Sequence, residues 1–215
     1  MPKRVYVWEW PVRLTHWLNV YCIGILCFTG FYIGSPFIQA SISDEYPIMA
    51  IMRLIHFTTA YFFTMSFFIR IYWAFGGNEY AKVGEFIPVT RKVWGDLWGD
   101  VKFYLFLTKK HGARAGHHTL AGITYVLLFI FFHFEIVTGF ALYSESHSGF
   151  ISVVMGGWLL NYFSPQSLRL YHHLVMWLGI IFAMTHIYVG WYNDVVERNS
   201  IMSSIFSGYK TLDKE

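Results

Sequence analysis

Ten histidines stand out in a chain with few other ionisable groups. Among those in or against long apolar runs, His16, His56, His172, His173 and His186 lie near the ends of their runs. An ionisable side chain inside a bilayer is costly, so each of these is a functional candidate by default. Imidazole suits haem iron, zinc, copper and non-haem iron. No carboxylate is expected to share the depth of His16, His56, His172 and His186, and no His-x-x-His-His box occurs; both points count against a di-iron site. Bis-histidine ligation of haem would leave no open coordination position, so such a haem would carry electrons rather than activate oxygen.

The elements that must hold these residues follow from composition. Apolar residues make up 55% of the chain and charged residues 13%, where a soluble domain carries about 25% charge. That excludes nucleic-acid binding, disorder and an ordinary cytosolic enzyme. A spanning helix needs about 20 mostly apolar residues, and four such runs are expected at about 16–38, 49–75, 118–143 and 170–193. The fold class is therefore an all-α membrane protein, a four-transmembrane-helix bundle, read as one domain over 1–215. Lys3 and Arg4 precede a run too long for a signal peptide, with no small-residue cleavage site after it, so it should be retained. Cys22 and Cys27 fall inside that run and read as small membrane-helix residues rather than a disulfide. No Cys-x-x-Cys-His for covalent haem occurs, and no cysteine set for an iron–sulfur cluster or zinc.

Lys and Arg in short flanks set orientation. Lys3, Arg4, Arg13, Lys82, Arg91, Lys92, Lys102, Lys109, Lys110, Arg114, Arg198, Lys210 and Lys214 fall on one side of a four-span chain, against Arg53 and Arg169 on the other. Both termini should be cytoplasmic. Residues 93–108 place apolar side chains at helical spacing and read as an interfacial amphipathic helix anchored in lipid. Residues 150–163 are apolar but too short to span, which fits a re-entrant or interfacial piece. No internal repeat is apparent.

Depth then pairs the histidines. His16 opens the first span from the cytoplasmic side and His186 lies near the inner end of the fourth. His56 is about two turns into the second span from outside, level with His172 or His173. His172 and His186 are separated by about 21 Å of helical rise and lie within roughly 40° of one face, whereas His173 and His186 are about 140° apart. His172 is thus the partner that shares a face with His186, and two stacked redox centres are the expected arrangement.

Six blocks, PVRLTHW (11–17), MRLIHF (52–57), RIYWAFGGN (70–78), YLFLTKK (104–110), TGFALYSE (138–145) and HHLVMW (172–177), closely resemble the b-type cytochrome subunit of membrane-bound nickel–iron uptake hydrogenases. More distantly, the histidine spacing is similar to that of the cytochrome subunit of respiratory formate dehydrogenase. The resemblance covers nearly the whole chain. It implies haem b, with His56 and His172 as iron ligands of an outer haem and His16 and His186 of a cytoplasmic one. It also implies electrons arriving from the iron–sulfur small subunit of a hydrogenase, anchored by a C-terminal helix and joined to the large subunit, and leaving to quinone in a bacterial cytoplasmic membrane.

For the quinone, the resemblance points to His117 and His118, with His111, Tyr188 and Trp191 behind them; relatives commonly carry Asn where His118 stands. Glu135 and His133 depart from the family pattern. The carboxylate reads as a proton relay or as a structural partner of His133, Arg70 or a haem propionate. His147 reads as a contact for a propionate or a partner subunit, or as a loop residue. Other readings stay open at this point: a formate dehydrogenase-like partner, a single retained haem, a haem-free anchor, or a metal-ion transporter.

Overall fold

The computed structural model describes residues 3–37, 47–82, 91–105, 107–108, 119–147, 149–197 and 200–212. In chain order the elements are β1 (Lys3–Tyr6), α1 (Trp10–Gly34), α2 (Ile48–Gly76), α3 (Arg91–Tyr104), α4 (Thr119–Ser144), α5 (Phe150–Met155), a 3₁₀ segment (Gly157–Asn161), α6 (Pro165–Glu197), α7 (Ile201–Ser207) and β2 (Tyr209–Leu212). Among the described residues, α1, α2, α4 and α6 are long and apolar enough to cross a membrane. The chain is an integral membrane protein built on four long helices.

The helix ends differ from the apolar runs in an instructive way. α2 and α4 follow the expected spans to within a residue, but α1 begins at Trp10 and ends at Gly34, and α6 begins at Pro165 and continues to Glu197. Apolarity marks hydrocarbon depth, and backbone helicity runs beyond it at the start of α1 and at both ends of α6, whereas α1 stops at Gly34, short of the expected 38. Pro11 is tolerated in a first helical turn, where its missing N–H has no intrahelical partner. Pro165 takes the first position of α6, and Ser164 caps it by accepting the Ser167 N–H at 3.2 Å. His16 and His172 therefore lie inside their helices, not at the openings.

The chain divides into two compact units: Met1–Leu14, Arg70–Phe131 and Ile181–Glu215 form one, and Thr15–Ile69 with Phe132–Ile180 form the other. In the first, β1 pairs antiparallel with β2, Lys3 opposite Leu212 and Tyr6 opposite Tyr209, so the two ends of the chain lie side by side. Strands of four residues and mixed polarity carry no apolar signal, so the ribbon is not foreshadowed by the sequence. The Glu9 carboxylate accepts from the Trp73 indole and the Asn78 backbone N–H, both at 2.8 Å. Arg70, buried, lies over the Tyr125 ring, 5.1 Å from its centroid.

In the same unit α3 is shorter than the expected 93–108, and one of its polar residues turns inward. Asp100 is buried and accepts the Leu120 N–H at 3.0 Å in the first turn of α4, where free N–H groups and the helix dipole favour a carboxylate. Phe103, three residues further on, is buried as well, while Trp98 stays exposed under Lys102. An Asn193 side-chain N–H donates to the Tyr104 hydroxyl at 2.8 Å, tying α3 to α6. α3 is thus anchored by polar contacts within its unit as well as by an apolar face.

In the second unit the long helices meet around a ring of contacts. Phe57 and Tyr61 of α2 pack edge-on against Tyr143 and Phe140 of α4, and Phe63 against Phe132. Phe31 of α1 meets Trp177 of α6 at 5.1 Å. The apolar segment 150–163 is not one piece: α5 and the 3₁₀ segment meet at Gly156. A Cβ there would lie 2.0 Å from the Val137 carbonyl oxygen and 2.8 Å from the Ala141 nitrogen of α4.

Those neighbours are backbone atoms and cannot rotate away. Gly156→Ala is expected to destabilise by at least about 1–3 kcal/mol. Gly179→Ala, mid-helix with nothing within 4 Å, should be neutral or stabilising by up to about 1 kcal/mol. Thermal melting of the two variants in detergent, followed by circular dichroism, checks this; equal midpoints would refute the close approach.

Candidate functional site

The second unit holds two histidines in matching surroundings. On α2, His56 Nδ1 lies 2.8 Å from the Thr29 hydroxyl of α1. On α6, His172 Nδ1 lies 2.9 Å from the Thr138 hydroxyl of α4. Each threonine is buried, and each is followed by a glycine that faces the same ring. A Cβ on Gly30 would come within 3.5 Å of His56 Cε1, and one on Gly139 within 3.4 Å of His172 Cε1. Each ring therefore rests directly on the neighbouring helix.

The hydroxyl protons decide the tautomers. Thr29 donates to the Ile25 carbonyl at 2.7 Å, and Thr138 to the Phe134 carbonyl at 2.7 Å, each one turn back along its own helix. A hydroxyl has one proton, so towards the histidine each oxygen acts as an acceptor. Nδ1 must then carry hydrogen in both rings, and Nε2 keeps its lone pair. The Leu26 carbonyl also faces the His56 ring as an acceptor. Among the described residues neither Nε2 has a hydrogen-bond partner. His172 and His173 are the histidines within electrostatic reach of His56.

This donor set fits a metal centre of the kind imidazole serves. A ligating histidine donates its other ring N–H to an oxygen acceptor, which fixes the tautomer and orients the ring. His173 is engaged differently. Its Nδ1 bonds to the Arg169 carbonyl of its own helix at 2.8 Å, and its Nε2 points at Gly34, where a Cβ would sit 2.6 Å away.

The expectation that no carboxylate shares the depth of these histidines is corrected here. Glu135 Oε2 lies 2.8 Å from His172 Nδ1, so the ring N–H sits between a carboxylate and the Thr138 hydroxyl. Glu135 thus has His172 as its partner, not His133, which lies against the Phe67 ring. Glu135 and His172 are 37 residues apart in sequence, on two different helices. Only the three-dimensional register of α4 against α6 brings them together. The threonines were also missed, although the sequence carries a signal for them: Thr-Gly-Phe occurs at 29–31 and again at 138–140.

The remaining candidates are distributed as follows. His16 belongs to the second unit, with its ring edge-on to Trp17. His186 belongs to the first, stacked on Phe182 at 5.5 Å. Tyr188 is exposed and adjoins Trp191 and Tyr192. His111, His117 and His118 lie outside the described residues. His147 stacks on Tyr143 with ring centroids 4.2 Å apart and bonds the Ser146 hydroxyl. Cys22 and Cys27 are free thiols.

Comparison with known proteins gives this arrangement a family. The chain is 36% identical over 213 residues to the probable Ni/Fe-hydrogenase 1 B-type cytochrome subunit of Escherichia coli K12, covering 96% of this chain and 90% of that protein. It is 37% identical over 218 residues to the probable Ni/Fe-hydrogenase B-type cytochrome subunit of Cupriavidus necator, covering 97% and 88%. The corresponding protein of Rhodobacter capsulatus is 38% identical over 216 residues, with 96% and 81% covered. A family model described as prokaryotic cytochrome b561 matches residues 7–208, so that this chain of four long apolar helices belongs to the prokaryotic cytochrome b561 family.

Proposed function

We propose that this protein is the haem-b electron-transfer subunit of a membrane-bound nickel–iron hydrogenase, passing electrons from the iron–sulfur small subunit to the quinone pool. One observation carries the reading: two histidines on different helices, within electrostatic reach of each other, each with Nδ1 bonded to a buried threonine hydroxyl and Nε2 left without a hydrogen-bond partner among the described residues. Haem b held there would supply a one-electron carrier. His56 and His172 would hold the iron, each having Nε2 free for it. Thr29 and Thr138 hold the rings, and Gly30 and Gly139 keep the helix surface flat against them.

His16 and His186 are the second ligand pair, on the cytoplasmic side, and the single membrane cytochrome domain spans both units. Hydrogen is cleaved on another chain, and this one relays single electrons across the cytoplasmic membrane from the outer face. Tyr188, His111, His117 and His118, with Trp191, serve the quinone near the cytoplasmic face, imidazole being suited by type to supply protons to the reduced carbonyls. The excess of Lys and Arg on the side of the termini supports a cytoplasmic N- and C-terminus. The relatives' names support a hydrogenase as the partner over a molybdoenzyme.

A dithionite-reduced minus oxidised spectrum with a pyridine haemochrome count on the purified chain should give close to two b haems. His56→Ala and His172→Ala should each lose the same one of them while the helical signal persists. A chain that takes up no haem in mild detergent with haem supplied would sink the reading and favour an anchor or transporter.

Thr29→Val keeps the side-chain shape and removes the acceptor. It should destabilise by about 0.5–1.5 kcal/mol, the net worth of one hydrogen bond where the donor keeps a second acceptor in the Leu26 carbonyl, and loosen the outer haem. Haem retention through gel filtration measures the second effect; wild-type retention would mean the tautomer lock is dispensable.

A further inference from the structure

His56 and His172 differ in one respect. At three residues before the threonine, α1 offers His56 a backbone carbonyl, that of Leu26, while α4 offers His172 the side chain of Glu135. The His172 N–H therefore has a carboxylate acceptor at 2.8 Å in addition to its hydroxyl. The other carboxylate oxygen, Oε1, is buried with no hydrogen-bond partner. Thr138 cannot supply one, since its proton goes to the Phe134 carbonyl. The carboxylate's hydrogen bonding among the described residues is thus directed entirely at His172.

A carboxylate inside an apolar helix is costly, and an apolar residue at 135 would pack without that penalty. Its placement has a chemical consequence. A hydrogen bond to a charged acceptor is shorter and roughly twice as strong as one to a neutral acceptor. It draws the ring proton away from Nδ1 and raises the basicity of Nε2. Outer-shell hydrogen bonding of this kind is one of the levers by which a protein sets the potential of a haem.

We propose that Glu135 is a positioning and potential-setting residue of the outer redox centre. By accepting the His172 Nδ1–H it gives that axial imidazole partial imidazolate character, which stabilises ferric over ferrous iron and lowers the reduction potential of the haem held by His56 and His172. The inference rests on the reading of His172 as a ligand given above. It assigns the two axial ligands unequal donor strength, with His172 the stronger.

The full-length chain, purified with its haem, provides the test. Glu135→Gln keeps the shape and an acceptor oxygen but removes the charge, and Glu135→Met suits an apolar helix. In a potentiometric titration both variants should favour reduction of one haem by about tenfold, which is about 59 mV for one electron, and leave the other haem unmoved. The low-spin ferric EPR signal of the same haem should shift, with haem content unchanged. Glu145→Gln, at an exposed carboxylate paired with Arg169, should change neither potential.

An unaltered midpoint and EPR signal in Glu135→Gln with full haem content would overturn the proposal. So would loss of the haem in both variants, which would make Glu135 a structural support. If instead His172→Ala retains every haem and its spectrum, the ligand assignment itself fails, an outcome separate from the first two.

Discussion

An imidazole surrounded by apolar helices can serve a metal only if its second nitrogen is satisfied, because an unmet N–H away from water costs as much as a lost hydrogen bond. The bond from His56 to Thr29 and the bond from His172 to Thr138 meet that constraint, and most of the second unit can be read from it. Threonine is suited to the task on a helix. Its hydroxyl proton is already committed to the carbonyl one turn back, so it presents only an acceptor and leaves the histidine a single tautomer. The bond works only if the ring comes close to the helix bearing the threonine. That proximity explains the glycine after each threonine and fixes α1 against α2 and α4 against α6.

The first unit solves a different problem with polar groups. Its backbone includes helix starts and chain ends, so N–H groups need acceptors, and carboxylates supply two of them: Glu9 for Asn78 and Asp100 for Leu120. Both are reached from elsewhere in the chain, which ties the N-terminal segment to the end of α2 and α3 to the start of α4. The β1–β2 ribbon extends the same logic to the termini, with Gly208 O accepting from Val7 and Trp8 N–H where the strands meet the helices. Within this unit, hydrogen bonds between segments distant in sequence do what apolar packing does in the long helices.

The four long helices were legible in the sequence because an apolar run of sufficient length is nearly unambiguous in a chain with so little charge. Their ends were less so, since helicity outlasts apolarity at Trp10 and Glu197. The β ribbon was invisible, being made of four-residue strands with no alternation. At the site, helical phase favoured His172 over His173, and the structure gives the two rings different partners: Thr138 and Glu135 for one, Arg169 of its own helix for the other. Periodicity reports which face a residue occupies. It carries no information on which side chain of another helix stands opposite, so the threonine acceptors and the Glu135–His172 contact became visible only in three dimensions.

The near-symmetry of the two histidines makes their difference meaningful. Two Thr-Gly-Phe segments on α1 and α4 present the same hydroxyl, the same glycine clearance and the same back-bond to α2 and α6. Had both rings met only neutral acceptors, the two imidazoles would be equivalent and the helices would serve simply as a clamp. The carboxylate at 135 breaks that equivalence on one side, where solvent screening is weak and a single charge acts strongly on its immediate neighbour. A bundle that positions a cofactor by repeating one packing device can thus adjust its chemistry by changing one residue within that device, without altering the helices that carry it.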